Sequence, residues 1–362
     1  MKLTPGELYF VRETDVLTNE VSNYVKIGLV REEEGRSSQD RTSEHQTGNP
    51  RTLHVDTVIK SPAISEIEKI MHNLLAENRI SGEWFNFTPA ELKGAIALAQ
   101  QLASEALANA EKFAIAESFK NKVSQKSLIT PTPDILLWHE LLLKSELKIK
   151  KCDSLDTQIR EIFRINHAKP QETASKDNTE QVKEEIGKFS KVQERKAKLI
   201  FDVANFQSSY PDLYDQFSDS KVRIAPSFTI TRPKDSLILL SDIDPELFEI
   251  VSEVEYLLGN FAEGETSLET LHTKSLQLIG HNARASWNKE IAHANLQAFC
   301  QDAGGVVGVC KWTRTLKESK VFNEKAFVSA FPDLAKEFSV EGEAKQAIIM
   351  NRKRSYVPRR GS

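Results

Sequence analysis

The chain has 362 residues, of which 40% are hydrophobic and 28% are charged, and its formal net charge at pH 7 is −4. This composition is typical of a globular protein with two or three domains, and no apolar run approaches the ~20 residues that a membrane helix needs. Because the chain is not basic overall, nucleic-acid binding would require a local positive field.

The cysteines and the first residues bear on the compartment. Cys152, Cys300 and Cys310 are odd in number and lack the spacing of metal ligands. No apolar segment follows Met1–Gly6, which argues against a secretory signal. We therefore expect a reducing, cytoplasmic setting.

The first 120 residues are expected to form a small α+β unit with a short antiparallel sheet. Alternation of apolar and polar residues predicts the strands, and the 3.6-residue period predicts the helices. Thr88 and Glu91 form a capping box with a proline at the first helical position, which begins a long alanine-rich helix. The expected strands are 7–11, 24–30 and 53–59, and the expected helices are 36–47, 64–79 and 89–120.

Polar side chains of these elements are placed where they can act together. Arg41 and His45 are four residues apart on the polar helix, so they share one helical face. Glu68 and His72 are related in the same way on the next helix. Lys26 lies on the polar face of the second strand, opposite the apolar residues that alternate with it.

Four short motifs occur in order in this region. They are Val25-Lys26-Ile27-Gly28, Arg41 followed by Thr47-Gly48-Asn49-Pro50, Glu68 with His72, and Gly82-Glu83-Trp84-Phe85. In order and spacing these motifs resemble the GIY-YIG nuclease superfamily. The similarity is greatest to the branch known from a bacteriophage T5 open reading frame, and it covers about the first 90 residues.

The resemblance implies roles for individual residues. Tyr9 corresponds to the first tyrosine of the family, Arg41 to its catalytic arginine and His45 to a histidine that some members carry. Glu68 corresponds to the single metal-ligating glutamate. The chain departs from the family pattern at Lys26, which replaces the second tyrosine, as is usual in this branch.

The same residues suit phosphodiester hydrolysis on chemical grounds. One carboxylate, Glu68, is enough to hold Mg²⁺ or Mn²⁺, because such an ion keeps most of its waters. Arg41 offers a planar fork to phosphate oxygens. Tyr9 would orient or deprotonate the water, with Lys26 lowering its pKa by proximity. His45 is an alternative base, or it protonates the leaving oxygen.

Substrate contacts are expected from Arg41, Lys26 and His72. For His72 two structural alternatives stand beside this one, namely that it buttresses Glu68 or caps a strand. The Glu83-Trp84-Phe85 segment is interpreted as structural, with its aromatic side chains closing the core and Glu83 holding Arg79.

The remainder of the chain contains an internal duplication. The segments from Phe201 to Phe217 and from Phe322 to Phe338 match, and shorter matches lie upstream. The upstream matches pair Pro133 with Pro245, Leu155-Asp156-Thr157 with Leu268-Glu269-Thr270, and His167 with His281.

We therefore predict two tandem, mostly helical copies of one module. Residues 181–198 of the first copy are expected to be helical, and 283–300 of the second copy likewise, followed by a turn and strand at 304–314. The predicted organisation is a nuclease-like domain at 1–120, a linker at 121–132, copies at 133–232 and 245–345, and a basic tail at 346–362.

These observations favour a Mg²⁺- or Mn²⁺-dependent DNA endonuclease that acts in phage defence, restriction or mobile-element DNA processing. The duplicated module would bind DNA or, through residues 133–345, a protein partner. Two alternatives remain open. One is a non-catalytic DNA-binding protein on a nuclease scaffold, and the other is an effector regulated by an interaction partner.

Overall fold

The computed structural model describes residues 3–47, 49–168, 186–195, 197–233, 239–261, 266–343 and 345–353. Its N-terminal part is the expected α+β unit. Its elements are β1 (Gly6–Thr14), β2 (Val21–Arg31), α1 (Ser38–Gln46), β3 (Thr52–Ser61), α2 (Ile64–Leu74), β4 (Arg79–Ser81), β5 (Trp84–Asn86) and α3 (Pro89–Lys120), with single 3₁₀ turns at Glu32–Glu34 and Ala76–Asn78.

The five strands form one antiparallel sheet in the order β3-β1-β2-β5-β4. One face of this sheet carries Phe10 and Ile27, which pack with α2 and α3 in the main hydrophobic core. The other face carries Tyr9 and Lys26 and lies against α1. The alternation of the strands thus separates a core face from a site face.

Local sequence accounts for where the two outer helices begin. Ser37 and Asp40 form a capping box at the start of α1, and the backbone N–H of Ser38 donates to Glu7 on β1 at 3.1 Å. Thr88 and Glu91 form the expected capping box of α3. These contacts satisfy backbone donors that a helix leaves free at its first turn.

The C-terminal part is built from two long helices, shorter helices and paired strands. Its elements are α4 (Pro133–Ala168), β6 (Ser190–Arg195), β7 (Leu199–Phe201), α5 (Val203–Ser209), α6 (Pro211–Gln216), β8 (Ser218–Ile230), α7 (Leu240–Ile243), α8 (Pro245–Gly259), α9 (Leu268–Cys300), β9 (Gly305–Val306), β10 (Cys310–Phe322), α10 (Glu324–Ala330), α11 (Pro332–Glu337), β11 (Ser339–Glu341) and β12 (Lys345–Met350). None of these described helices, nor those of the N-terminal part, combines the length and apolar character that crossing a membrane requires.

The two predicted copies are interlocked by reciprocal contacts. Strand β8 pairs with β10, while β6 and β7 pair with β12 and β11, so each copy completes the other's sheets. The backbone N–H of Asp202 donates to Phe338 at 2.7 Å, and that of Asn323 donates to Phe217 at 2.8 Å. Such exchange of equivalent contacts is the signature of a two-fold relation.

Aromatic rings from both copies meet at this pseudo-two-fold. Phe206 of α5 and Phe327 of α10 are fully buried, and their ring centroids are 4.5 Å apart. Phe201 stacks on Phe322 with centroids 5.6 Å apart. The matched phenylalanines therefore form one shared core between the copies, rather than a separate core in each.

Helix α9 belongs to the core of the N-terminal part as well as to its own copy. Ala283, Trp287 and Ile291 of α9 are buried in the main hydrophobic core. Glu105 of α3 accepts two hydrogen bonds from Arg284, at 2.7 and 2.9 Å, and one from the Trp287 indole at 2.6 Å. The N-terminal part and the second copy thus share one packed interior.

Several sequence expectations for this region are wrong in detail. Residues 190–195 are strand β6 and not helix, and 181–185 lie outside the described residues. Residues 346–350 belong to β12 and not to a tail, because they pair with β6. The tail beyond residue 353 lies outside the described part of the chain.

The expected linker at 121–132 is docked onto the second copy. The backbone N–H groups of Ser124, Gln125 and Ile129 donate to the carbonyls of Arg314, Asp302 and Gly305 at 2.9, 2.7 and 3.1 Å. The segment is therefore an ordered connection, held by backbone hydrogen bonds that its sequence does not reveal.

Two other histidines make similar contacts in the two copies. His139 Nε2 lies 2.8 Å from the carbonyl of Thr231, just after β8, and His272 Nε2 lies 2.7 Å from the carbonyl of Asn351, just after β12. His167, which the sequence pairs with His281, contacts the Ser190 hydroxyl at 2.9 Å.

Candidate active site

Tyr9 is the centre of the site on the α1 side of the sheet. It lies directly across from Gly28 in the β1–β2 ladder, and its side chain is 1% exposed. A Cβ at position 28 would lie 2.6 Å from the Tyr9 hydroxyl oxygen. The glycine of the Val25–Gly28 motif therefore makes room for the tyrosine ring.

Lys26 joins three elements through its ammonium group. Its Nζ lies 2.8 Å from His45 Nε2 on α1 and 3.0 Å from the Glu83 carboxylate in the β4–β5 turn. Because an ammonium group only donates, His45 Nε2 accepts this bond and carries no proton of its own. Lys26 is 7% exposed, so this contact is largely shielded from water.

Arg41 forms the cationic wall of the site. Its guanidinium lies close enough to Tyr9 to oppose the rise of the tyrosine's pKa, and its Nη1 lies 2.9 Å from the Glu44 carboxylate. Glu44 also accepts from Arg36 at 3.0 Å. About a third of the Arg41 side chain remains exposed (36%), so its guanidinium can reach a phosphate in solution.

The turn after α1 is fixed by the helix's last residue. The Gln46 side chain accepts from the Leu53 backbone N–H at 2.7 Å and donates to the Arg51 carbonyl at 2.9 Å. These bonds hold α1 against β3. They keep Arg41 and His45 over the sheet, and Gly48 of the motif lies outside the described residues.

Burial sets the protonation of Tyr9. Removal from water, with the Glu83 carboxylate nearby, raises the pKa of Tyr9 to about 12, although Arg41 acts in the opposite direction. The expected lowering of this pKa is wrong in its net direction, and the cation that opposes the rise is Arg41. Tyr9 is therefore a neutral hydroxyl at pH 7, able to orient a water by donating or accepting a hydrogen bond.

His45 is neutral as well. Burial and the positive charges of Lys26 and Arg41 hold its pKa below the usual range. A neutral imidazole can accept a proton but cannot supply one, which supports the base role over the acid role.

Glu68 of α2 faces the same group of charges. Burial, reinforced by the Glu83 carboxylate, raises the pKa of Glu68 to about 7, while Arg31, Arg79 and Lys26 oppose the shift. Carboxyl groups whose pKa is raised by burial and by a nearby carboxylate are common at functional sites.

His72 has a structural contact. Its Nε2 lies 3.1 Å from the Ile27 carbonyl, and its ring is tilted against Phe85 at a centroid distance of 5.4 Å. This geometry supports the strand-capping alternative over direct contact with substrate.

Glu83 belongs to the site, a role that its sequence did not indicate. It was expected to hold Arg79, yet its carboxylate binds Lys26, and Arg79 Nε donates to the Gly82 carbonyl at 2.6 Å. An acid inside the Gly82–Phe85 motif was the one signal for it. Its partner was not predictable, because the β2–β5 pairing that aligns Lys26 with Trp84 is tertiary.

The donor set fits a hard divalent cation better than a soft one. The Glu83 carboxylate makes ionisation of Glu68 less favourable, and a cation held by Glu68 would relieve this. Within the described part of the chain, no group of three or more His, Cys, Asp or Glu residues could hold a metal. An ion that keeps most of its waters, such as Mg²⁺ or Mn²⁺, suits so small a protein ligand set.

Comparison with known proteins identifies the N-terminal region. Residues 8–100 match the T5orf172 domain family. This confirms the resemblance to the bacteriophage T5 branch. No curated protein and no solved structure shows significant similarity to the chain.

Proposed function

We propose that this chain, whose residues 8–100 form a T5orf172 domain, is a metal-dependent DNA endonuclease that acts in phage defence, restriction or mobile-element processing. The supporting observation is the convergence of five candidate side chains from four elements. They are Tyr9 of β1, Lys26 of β2, Arg41 and His45 of α1, and Glu68 of α2.

Arg41 and Glu68 would bind opposite parts of the reacting group. The Arg41 guanidinium binds non-bridging phosphate oxygens and stabilises the charge that develops on them. Glu68 in its carboxylate form holds Mg²⁺ or Mn²⁺, which when bound supplies Lewis-acid polarisation of the phosphate and a more acidic water.

Tyr9 and His45 would handle the attacking water. The Tyr9 hydroxyl orients it, and His45 takes its proton once substrate binding loosens the hydrogen bond from Lys26. The Lys26 ammonium, on the same face of the sheet, would then donate a proton or bind the phosphate.

Cleavage of supercoiled plasmid with Mg²⁺ or Mn²⁺ tests this function. We expect Glu68→Ala to reduce the rate by at least about 10³-fold, since both metal binding and charge balance are lost. The matched control is Glu66→Ala on the same helix, whose carboxylate pairs with Lys69 at 3.7 Å. Equal rates for wild type and Glu68→Ala would overturn the metal assignment.

One observation favours a second function, a DNA-binding protein on a non-catalytic scaffold. The Lys26 ammonium occupies the position of the family's second tyrosine and is already held by Glu83 and His45. If this alternative is correct, the wild type does not cleave DNA with any metal ion, and Arg41→Ala weakens binding of the protein to a DNA duplex. Mobility-shift and cleavage assays on the same preparations separate the two.

A further inference from the structure

Strands β8 and β10 form a long two-stranded ribbon outside the N-terminal site. Thirteen residue pairs run from Ser218–Phe322 at the phenylalanine cluster to Ile230–Cys310 beside β9. At the usual rise per residue the ribbon is about 40 Å long. Most of its side chains are exposed, including those in the middle of β10, while Ile224 and Ala225 in the middle of β8 are half-buried.

The register places four cations on one side of this ribbon. Directly paired residues project to the same side, and successive pairs alternate. Lys317 is paired with Arg223, and Lys311 with Thr229, while Lys221 is paired with Ser319. We call this surface the basic face and define it by Lys221, Arg223, Lys311 and Lys317, all of which are exposed.

The four cations have no acidic partners among the ion pairs of the described residues. Within the two strands Asp219 is the acid on this side, and Glu318 lies on the opposite side. Like charges directly across a ladder, as with Lys317 and Arg223, cost free energy. By contrast, Lys320 on the opposite side pairs with Asp215 at 2.6 Å.

Hydroxyl groups occupy most of the other positions on this side of the ribbon toward β9, and Ala225 occupies one. Ser227, Thr229, Thr313 and Thr315 are exposed on the same side as the cations. Lysine, arginine, serine and threonine are the side chains that contact phosphate and sugar in protein–DNA complexes. The ribbon's shape also matches a DNA surface, since the major groove admits a two-stranded β-ribbon.

We propose that the basic face binds the sugar–phosphate backbone of duplex DNA. This inference rests on the proposed function, because it assigns the second binding surface for the same DNA substrate. The uncompensated charge, the hydroxyls and the length of the ribbon all fit a polyanion of regular shape. Contact at this surface would hold the duplex to the protein at a distance from the reacting phosphate and independently of Glu68.

The test measures binding of a fluorescent 30-base-pair duplex to the full chain by anisotropy, in EDTA, over a series of KCl concentrations. The variant is the fourfold substitution Lys221→Ala, Arg223→Ala, Lys311→Ala and Lys317→Ala. The control is Lys320→Ala, which removes a cation from the same strand but the opposite side. Thermal melting of each variant checks that the ribbon remains folded.

We expect the fourfold variant to bind at least about tenfold more weakly at low salt. The slope of log K against log salt should become shallower by about 0.9 for each phosphate that the variant no longer neutralises. The control should bind like wild type. The melting temperature of the fourfold variant should not fall, because the like-charge pair is removed.

Unchanged affinity and salt slope in the fourfold variant would overturn the proposal, as would a wild-type chain that binds single-stranded DNA or duplex RNA but not duplex DNA. Failure of the nuclease function is a different result. The wild type could bind duplex DNA without cleaving it in the presence of any metal ion, and the fourfold variant could lose that binding. This result would support DNA binding by the basic face and contradict the proposed hydrolysis.

Discussion

At the scale of single residues, the site depends on Gly28 as much as on the side chains that carry chemistry. Its position opposite Tyr9 leaves space for the aromatic ring. The sequence motif contains this glycine, but only the strand register shows which side chain needs the space.

Gly28→Ala is therefore expected to reduce activity while leaving a folded protein. The added methyl group meets the Tyr9 hydroxyl and ring at 2.6–3.0 Å, so the ring must shift. We expect a destabilisation of roughly 1–3 kcal/mol and a fall in kcat of about 10²-fold from the misplaced hydroxyl. Plasmid cleavage and urea unfolding measure the two effects, and Gly94→Ala on α3, where nothing lies within 4 Å, is the control.

The raised pKa of Glu68 predicts how stability depends on pH. Its folded-state pKa of about 7 exceeds its ordinary value, so the folded state binds the proton more tightly than the unfolded state. Without metal, the wild type should lose stability as pH rises from about 4.5 to 7. Glu68→Gln removes this term and should stabilise the protein at pH 8 by roughly 1–2 kcal/mol, discounted for partial exposure.

Chemical denaturation at pH 5 and pH 8 checks this prediction. The two proteins should differ little at pH 5, where Glu68 is neutral, and diverge at pH 8. Added Mg²⁺ should stabilise wild type at pH 8 more than at pH 6, because the ligand must be deprotonated. A constant difference across the pH range would contradict the assignment.

At the scale of elements, the sequence predicted most of the N-terminal part. The three long strands, the polar helix and α3 occur where alternation and capping signals placed them, with ends shifted by a few residues. Strand β6 was missed because 181–198 is rich in charge, and its pairing partner β12 lies about 150 residues away. Pairing with a distant strand overrides local propensity.

The contact between α3 and α9 is expected to stabilise the fold in a pH-dependent way. Arg284 and Trp287 hold the pKa of Glu105 below its ordinary value against the opposing effect of burial. Such a group stabilises the fold above its unfolded pKa, and this contribution is lost as pH falls through the lowered folded value. We expect Glu105→Gln to cost roughly 1–3 kcal/mol at pH 7 and less near pH 3.

Thermal or urea unfolding across this pH range measures the effect. Glu111→Gln, on the exposed side of the same helix, is the matched control and should leave stability unchanged within about 0.5 kcal/mol. If both substitutions change the free energy of unfolding equally, the Glu105 contacts do not stabilise the packing of α3 against α9.

At the scale of the whole molecule, the candidate site is supported by the distant second copy. Helix α9 packs on α2, which carries Glu68, and on α3, so residues 268–300 complete the core beneath the sheet. A chain ending at residue 240 lacks this helix and the strands that pair with β6, β7 and β8. We expect this truncated chain to aggregate or to lack a cooperative melting transition.

Size-exclusion chromatography and circular dichroism of residues 1–240 beside the full chain test that expectation. A soluble, cooperatively melting fragment would show that the N-terminal part folds alone, as the sequence-based domain boundary at residue 120 implies. The burial of Trp287, 1% exposed within the N-terminal core, argues for mutual dependence.

The sequence by itself determined the α+β class, the similarity of the N-terminal region to the T5 branch, the candidate residues Tyr9, Lys26, Arg41, His45 and Glu68, and the existence of a repeat. These follow from short-range periodicity and motif spacing, which each segment carries locally. Only the tertiary structure decided that Glu83 holds Lys26, that α9 enters the first core, and that the copies exchange strands. Each of these depends on partners far apart along the chain, and their choice is made by burial and strand pairing, which no local pattern specifies.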